Sequence, residues 1–387
     1  MRRRMTLTEQ LERLAAFEPA PYPVVSLYLN TQPGQHGRDQ HQAFIRKELK
    51  GRSRTYPANS PDRESLDQDL EKIGRYLETE LRPSANSVAI FACSAGELFD
   101  AIQLAAQIEQ HSLYIGDRPH LYPLARLESQ YPRYAALITD SNSARIMVFA
   151  LGQLVAEREV KNVKTRDTSQ GGWSQARYQR HIANIHLHHL KEVIDTLERV
   201  VREEGITQIL LSCDEASLPL IRDQMPKHLA EKIVDQMRLG AHATAAEVLQ
   251  KSLEAMQRLN ARTDREKVEA AMGAYRAGGL GVVGPEDTLA ALITGQVEEL
   301  LITANMQRLQ GMPAGAPVGS ANDTALAEPA ILTVSAGEPA ETQPEVVRLA
   351  DELITKAKQT SARITFIEDP GLLSGYGGIA ALLRFRI

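Results

Sequence analysis

Gly171-Gly172-Trp173-Ser174-Gln175 places two residues without side-chain bulk beside the only tryptophan of the chain, within a polar and basic stretch. Between Val160 and Leu190 stand Lys161, Lys164, Arg166, Arg177 and Arg180 against a single acid, Asp167, and His181, His186, His188 and His189 add polar donors. A glycine tip flanked by cations is narrow enough to pass between RNA phosphates, and each phosphate it neutralises adds salt-dependent affinity. An exposed indole stacks on an unpaired base, which is worth about 1–3 kcal/mol. Against these stand two plainer readings: a solvated basic loop, and a Trp173 ring folded back onto its own domain.

A second basic run, Arg46, Lys47, Lys50, Arg52 and Arg54, lies nearer the start of the chain. The formal net charge of −5 excludes a protein that coats nucleic acid indiscriminately, so any such contact is local. Other chemistry is poorly supported. Gly279-Leu-Gly-Val-Val-Gly284 fits GxGxxG but follows a helical pattern (Val268, Met272, Tyr275) where dinucleotide binding needs a strand. The histidines of 181–189 lack His-x-x-x-His spacing and have no carboxylate among them, and the two cysteines, Cys93 and Cys213, form no CxxC, so neither a metal site nor a disulfide framework is expected. Ser212-Cys213-Asp214 closes a strand without a nucleophile elbow.

The elements that must carry these residues alternate between strand and helix signals, which is α/β logic. Val24–Leu29 and Val88–Cys93 read as strands around a helix bearing Leu66, Leu70, Ile73 and Leu77. Arg133–Asp140, Ala144–Ala150 and Leu154–Val160 read as a meander with a turn at Leu151-Gly152. A helix with Leu187, Leu190, Ile194, Leu197 and Val201 on one face follows the glycine tip, ends at Gly205 and leads into a strand over Ile206–Cys213. Thr6-Leu-Thr-Glu9 reads as a capping box before Leu7, Leu11 and Leu14. No run approaches the roughly 20 apolar residues of a membrane helix, and a reducing cytoplasm is expected.

With 387 residues the chain suits two or three domains. Breaks at Ser129–Pro132 and at the polar run Asn260–Glu266 predict domains over 1–129, 130–262 and 263–387. The Ala-, Pro-, Gly- and Ser-rich stretch 311–344 predicts a poorly ordered excursion inside the last one.

Thr168–Arg180 resembles the Gly-Gly-Gln loop of archaeo-eukaryotic class-1 peptide-chain release factors, where Gly-Gly-Gln-Ser precedes an Arg-aromatic-x-Arg helix start. Gly171, Gly172, Ser174, Arg177, Tyr178 and Arg180 keep that pattern, and Trp173 stands at the glutamine position. Val283–Leu292 with Gly295–Ile302 is similar to the opening of that family's C-terminal domain, and Leu373–Ile387 to its Gly-aromatic-Gly-Gly-Ile…Leu-Arg-Tyr-Arg end. Three matches in the family's order identify a resemblance to the bacterial branch of the release-factor and Pelota family, with the Balon-like hibernation factors among its relatives. An α/β, three-domain release-factor-like architecture with mixed sheets flanked by helices is implied.

The resemblance also implies a role on the ribosome. In the family the glutamine positions the water that attacks the peptidyl-tRNA ester, whereas an indole has an N–H donor and no acceptor. No catalytic residue is therefore expected, and the implied protein occupies the A site in hibernation or rescue. Its tip, formed by Lys164, Arg166, Gly171, Gly172, Trp173, Ser174, Gln175, Arg177 and Arg180, would contact 23S rRNA or the P-site tRNA. The N-terminal cations Arg46, Lys47, Lys50, Arg52 and Arg54 would contact 16S rRNA near the decoding centre, and the C-terminal domain would dock a translational GTPase, elongation factor Tu in a bacterium. Stop-codon reading is not expected: the Asn-Ile-Lys-Ser signature is absent, and in Ser112–His120, which resembles the family's Tyr-x-Cys-x-x-x-Phe segment, Gly116 and His120 replace the cysteine and phenylalanine while Tyr114 is kept. Two alternatives stay open, a peptidyl-tRNA hydrolase in which Gln175 substitutes for the lost glutamine, and an adaptor unrelated to the ribosome. No cofactor, metal or membrane partner is implied.

Overall fold

The computed structural model describes residues 6–18, 22–32, 40–83, 85–104, 106–108, 110–140, 143–161, 175–215, 217–240, 242–309, 332–334 and 344–386. Residues 40, 175–183, 332–334 and 344 are described by backbone alone. Two compact units result: Met1–Gln130 together with Thr263–Ile387, and Tyr131–Arg262.

The first unit begins with α1 (Leu7–Ala15), where Thr6 and Glu9 close the expected capping box and Leu11, Leu14 and Ala15 are buried. There follow β1 (Val24–Asn30), α2 (Gln40–Ser53), α3 (Pro61–Thr79), β2 (Ser87–Cys93), β3 (Leu98–Leu104), β4 (His111–Gly116) and α4 (Tyr122–Gln130). Ser60 caps α3 on the Arg63 amide, and Pro61 takes the first turn, where its missing N–H is no loss. β1 lies between β2 and β4, antiparallel to both, and β2 pairs with β3. Because helices or loops cover both faces, β1 and β2 read as continuous apolar runs instead of alternating ones. Leu27, Leu29, Val88 and Ile90 form the core with Phe44, Leu49, Leu66 and Ile73 of α2 and α3.

The second unit holds β5 (Tyr134–Thr139), β6 (Ser143–Ala150), β7 (Gln153–Lys161), α5 (Gln175–Glu203), β8 (Gln208–Cys213), α6 (Ser217–Gln224), α7 (Lys227–Ala230) and β9 (Ile233–Gln236). Its sheet runs β7-β6-β5-β8-β9; β5, β6 and β7 form an antiparallel meander, while β8 lies parallel to β5 and β9 parallel to β8. Leu151 and Gly152 turn from β6 to β7 with φ of 50° and 73°, as a two-residue hairpin demands. Alternate β5 residues serve opposite faces. Ala135 and Leu137 pack with Val193, Ile194 and Leu197 of α5, whereas Tyr134, Ala136 and Ile138 pack with Val248, Ala255 and Met256 of α8 (Ala245–Arg276).

α8 continues without interruption through Asn260–Glu266, the run read from sequence as a break. Polarity alone does not end a helix; no Gly or Pro lies within that run, and Val268, Ala271 and Met272 resume the buried face of α8. Beyond it come β10 (Gly281–Val283), α9 (Pro285–Ile293), β11 (Val297–Thr303), β12 (Leu332–Val334), α10 (Pro344–Gln359), β13 (Arg363–Ile367) and β14 (Ile379–Leu383). The sheet order is β10-β14-β11-β13, with β11 and β13 parallel and the other neighbours antiparallel. The GxGxxG segment is structural: a Cβ at Gly281 would lie 2.5 Å from the Ala271 carbonyl oxygen, so β10 approaches α8 only because no side chain intervenes. Gly378, at φ +80°, likewise sits 3.1 Å from the Arg308 carbonyl oxygen at its Cβ position.

β12 belongs elsewhere. It pairs antiparallel with β4, so the stretch expected to be an unordered excursion of the last domain contributes a strand to the first sheet, whose order becomes β12-β4-β1-β2-β3. Among the described residues no helix is long and apolar enough to cross a membrane.

Candidate nucleic-acid interface

The glycine tip lies between β7 and α5, and its Lys164, Arg166, Gly171, Gly172, Trp173 and Ser174 fall outside the described residues. Its two supports are described. β7 is the edge strand of its sheet and mostly exposed, ending at Lys161, whose Nζ sits 3.0 Å from Glu159. α5 starts at Gln175, so Gln175, Arg177 and Arg180 occupy its first two turns. At 1.5 Å per residue its 29 residues span roughly 43 Å. Among the described side chains its anchoring face, Leu190, Val193, Ile194, Leu197, Val200 and Val201, lies in the half remote from the tip.

The histidines of α5 divide by burial. His188 is exposed and His186 half-buried, but His189 is 4% exposed, which removes it from the polar donors expected beside the tip. Burial lowers the His189 pKa and keeps the ring neutral at ordinary pH. Among the described residues no group of three or more metal-ligating side chains is assembled.

The second basic run becomes a helix face. Phe44, Ile45, Glu48 and Leu49 of α2 are buried, while Arg46, Lys47 and Lys50, with Arg54 just beyond, are exposed and Arg52 is half-buried. Lys47 pairs with Glu48 at 3.1 Å. Lys50 and Arg52 lie in the last turn, where cations complement the helix dipole. This surface can take RNA phosphates without disturbing the core beneath it.

Ser112–His120 is built inward. Tyr114 lies in β4 and is buried, its ring centroid 3.7 Å from that of His120. His120 Nδ1 lies 2.6 and 2.8 Å from the two carboxylate oxygens of Asp351, on α10. The same carboxylate accepts from the amides of Leu121 at 3.0 Å and Tyr122 at 3.4 Å, so a residue of α10 satisfies the free amides at the start of α4. Tyr122 Oη donates to the Thr303 carbonyl at 2.6 Å and Lys358 pairs with Glu128 at 2.8 Å, extending the joint along α4. A pairing across 231 positions carries no local sequence signal, and sequence reasoning missed it.

At the α8–β10 corner, Tyr275, Leu280 and Phe385 are exposed apolar residues, and Arg386 Nη1 donates to the Gly278 carbonyl at 2.6 Å to hold the chain end there.

The sequence pattern described as "Bacterial archaeo-eukaryotic release factor family 10" matches residues 119–257, and that of "eRF1 domain 3" matches residues 263–387. No curated protein shows significant sequence similarity to the chain. Among solved structures it is similar to an archaeal translation termination factor, aRF1, at 16% identity over 98% of this chain and 97% of that one, with a TM-score of 0.27. Ribosome-bound archaeal Pelota is 13% identical over 99% and 95% of the two chains, with a TM-score of 0.43. Dom34 of S. cerevisiae, described as a translation termination-like factor, is 9% identical over 78% and 81%, also at 0.43.

Proposed function

Because the chain belongs to the bacterial branch of the archaeo-eukaryotic release-factor family, we propose that it enters the ribosomal A site and occupies it without releasing peptide, as a hibernation or rescue factor. The observation that carries this reading is Trp173 at the position of the family's glutamine, within a tip that otherwise keeps Gly171, Gly172, Ser174 and the Arg177-Tyr178 helix start. An indole cannot accept a hydrogen bond from the attacking water, but it stacks well on a tRNA end or an unpaired rRNA base. Gln175 is a poor substitute, since its backbone is already committed to α5.

In this reading residues 1–129 face the decoding centre through the cations of α2, 130–262 carry the tip, and 263–387 dock a translational GTPase, elongation factor Tu. The exposed Tyr275, Leu280 and Phe385 suit such a docking surface. The decisive test supplies purified protein to ribosomes holding peptidyl-tRNA and measures both co-sedimentation and released peptide. Stable binding with no release above the spontaneous rate is expected, and Trp173→Gln should restore some release. Robust wild-type release that disappears in Gln175→Ala would overturn the reading.

A further inference from the structure

We propose that His111, where β1, β4, α2 and β12 meet, is an acid-operated latch: protonation of its ring releases Asn30 and loosens the start of β4. The pairing of β1 with β4 ends at Tyr28 and Ser112. Just beyond it, the Asn30 amide at the end of β1 donates to His111 Nδ1 at 3.2 Å, so a side chain of β4 takes an amide that the ladder leaves over. A ring nitrogen that accepts from an N–H carries no proton itself, which places the proton of the neutral ring on Nε2. An imidazolium has a donor at both nitrogens, and this contact then becomes N–H against N–H.

The groups described around the ring oppose a second proton. Phe44 of α2 packs on it with ring centroids 5.3 Å apart. His41 lies three residues before Phe44, hence on the same face of α2, and is 6% exposed. It stands in the first turn, at the positive end of the helix dipole, and that turn contains no acid. The residues that β1 and β4 place next to His111, Asn30 and Ser112, are neutral, and among the described residues the titratable group acting on it is His41. Burial lowers the His111 pKa and His41 lowers it further. Phe44 attracts a cation only weakly at a half-exposed position. His111 is half-buried, so a proton reaches it from solvent. It is also the last partner of β12, opposite Val334, in a pairing of three residues. Loosening its backbone leaves β12 two pairs, Thr333 with Ser112 and Leu332 with Leu113, and acid thereby opens the outer edge of β4.

The test uses the full chain without ribosomes, so its outcome is independent of the A-site reading. Hydrogen–deuterium exchange read by mass spectrometry at pH 7.5 and 5.5, with labelling times scaled to the intrinsic exchange rate, follows Asn30, His111–Leu113 and Leu332–Val334. A histidine whose folded pKa lies below the usual value of about 6.5 penalises the fold as pH drops below that value. These segments should therefore lose protection about tenfold in acid, the effect of one hydrogen bond. In His111→Asn the amide oxygen accepts from Asn30 at every pH, and protection should stay equal at both. Equal protection of the wild type at the two pH values, or an acid loss that persists in His111→Asn, would overturn the proposal. The wild type decides alone if the variant does not fold: NMR of protein labelled with ¹⁵N-histidine should show His111 protonated at Nε2 and titrating below about 6.5. A proton on Nδ1, or a midpoint at or above that value, contradicts the latch.

Discussion

His120 and Asp351 meet at 2.6 Å although 231 positions separate them, and the carboxylate that holds the imidazole also takes the first free amides of α4. One side chain of α10 thus completes a helix start and a buried histidine contact in the N-terminal segment. Asp351→Ala should leave the imidazole and two amides without partners and cost about 3 kcal/mol. In a double-mutant cycle with His120→Phe, urea unfolding followed by circular dichroism should report a coupling above roughly 1 kcal/mol; additive losses would mean that the contact is incidental.

The cations of α2 are separable from its core. Replacing Arg46, Lys50 and Arg54 by alanine should change the melting temperature little, because all three are exposed and none partners a buried carboxylate among the described residues. Ribosome affinity should fall, and the slope of log K against log salt should shrink by roughly 2–3. An unchanged slope would place the RNA contact elsewhere.

The tip makes a distinct contribution. Trp173→Ala should weaken ribosome binding by about 1–3 kcal/mol, the loss of one base stack, with little change in salt dependence. Replacing Arg166, Arg177 and Arg180 together should instead act mainly through the salt slope. Filter binding across a salt series distinguishes the two classes; identical behaviour of both variants would argue against a stacked indole.

Asp69 gives a pH dependence with a defined sign. Burial raises its carboxyl pKa from 3.8 to about 6, against a 2.5 Å hydrogen bond from Ser94 Oγ that opposes the shift. Between those two values the folded chain holds a proton that the unfolded chain has lost, so this group favours folding as pH falls through 6 and penalises it as pH rises. Asp69→Asn should therefore stabilise the protein at pH 8, by on the order of 2 kcal/mol, and little at pH 4. Equal effects at both pH values in urea unfolding would remove Asp69 as the cause.

Much of the fold was legible because apolar spacing carries it. The β5–β7 meander, the Leu190–Val201 face of α5 and the Thr6 capping box were readable from neighbours within one or two turns of chain. Less local features were not. The basic run of 46–54 shows no strong apolar stripe, so its helix emerges only when Phe44, Ile45 and Leu49 find β1 and α3. Asn260–Glu266 does hold the boundary between the two units, after Arg262, but its polarity gave no sign that α8 runs on through it, because the packing on either side was not visible. Of the candidate site, residue types and order were readable, but not which cations share a surface. The turn of Tyr114 and His120 toward α10 depends on Asp351, which sequence proximity could not suggest.

β12 gives the protein a safeguard against self-association. Without Leu332–Val334 the outer side of β4 would present a row of unpaired amides and carbonyls beside apolar Leu113 and Ile115, a ready template for strands of other molecules. The chain closes this edge with a segment drawn from beyond residue 310, so keeping molecules apart depends on a stretch whose composition suggests no structural duty. Shortening that stretch, an attractive simplification for crystallisation, would carry a hidden cost in solubility.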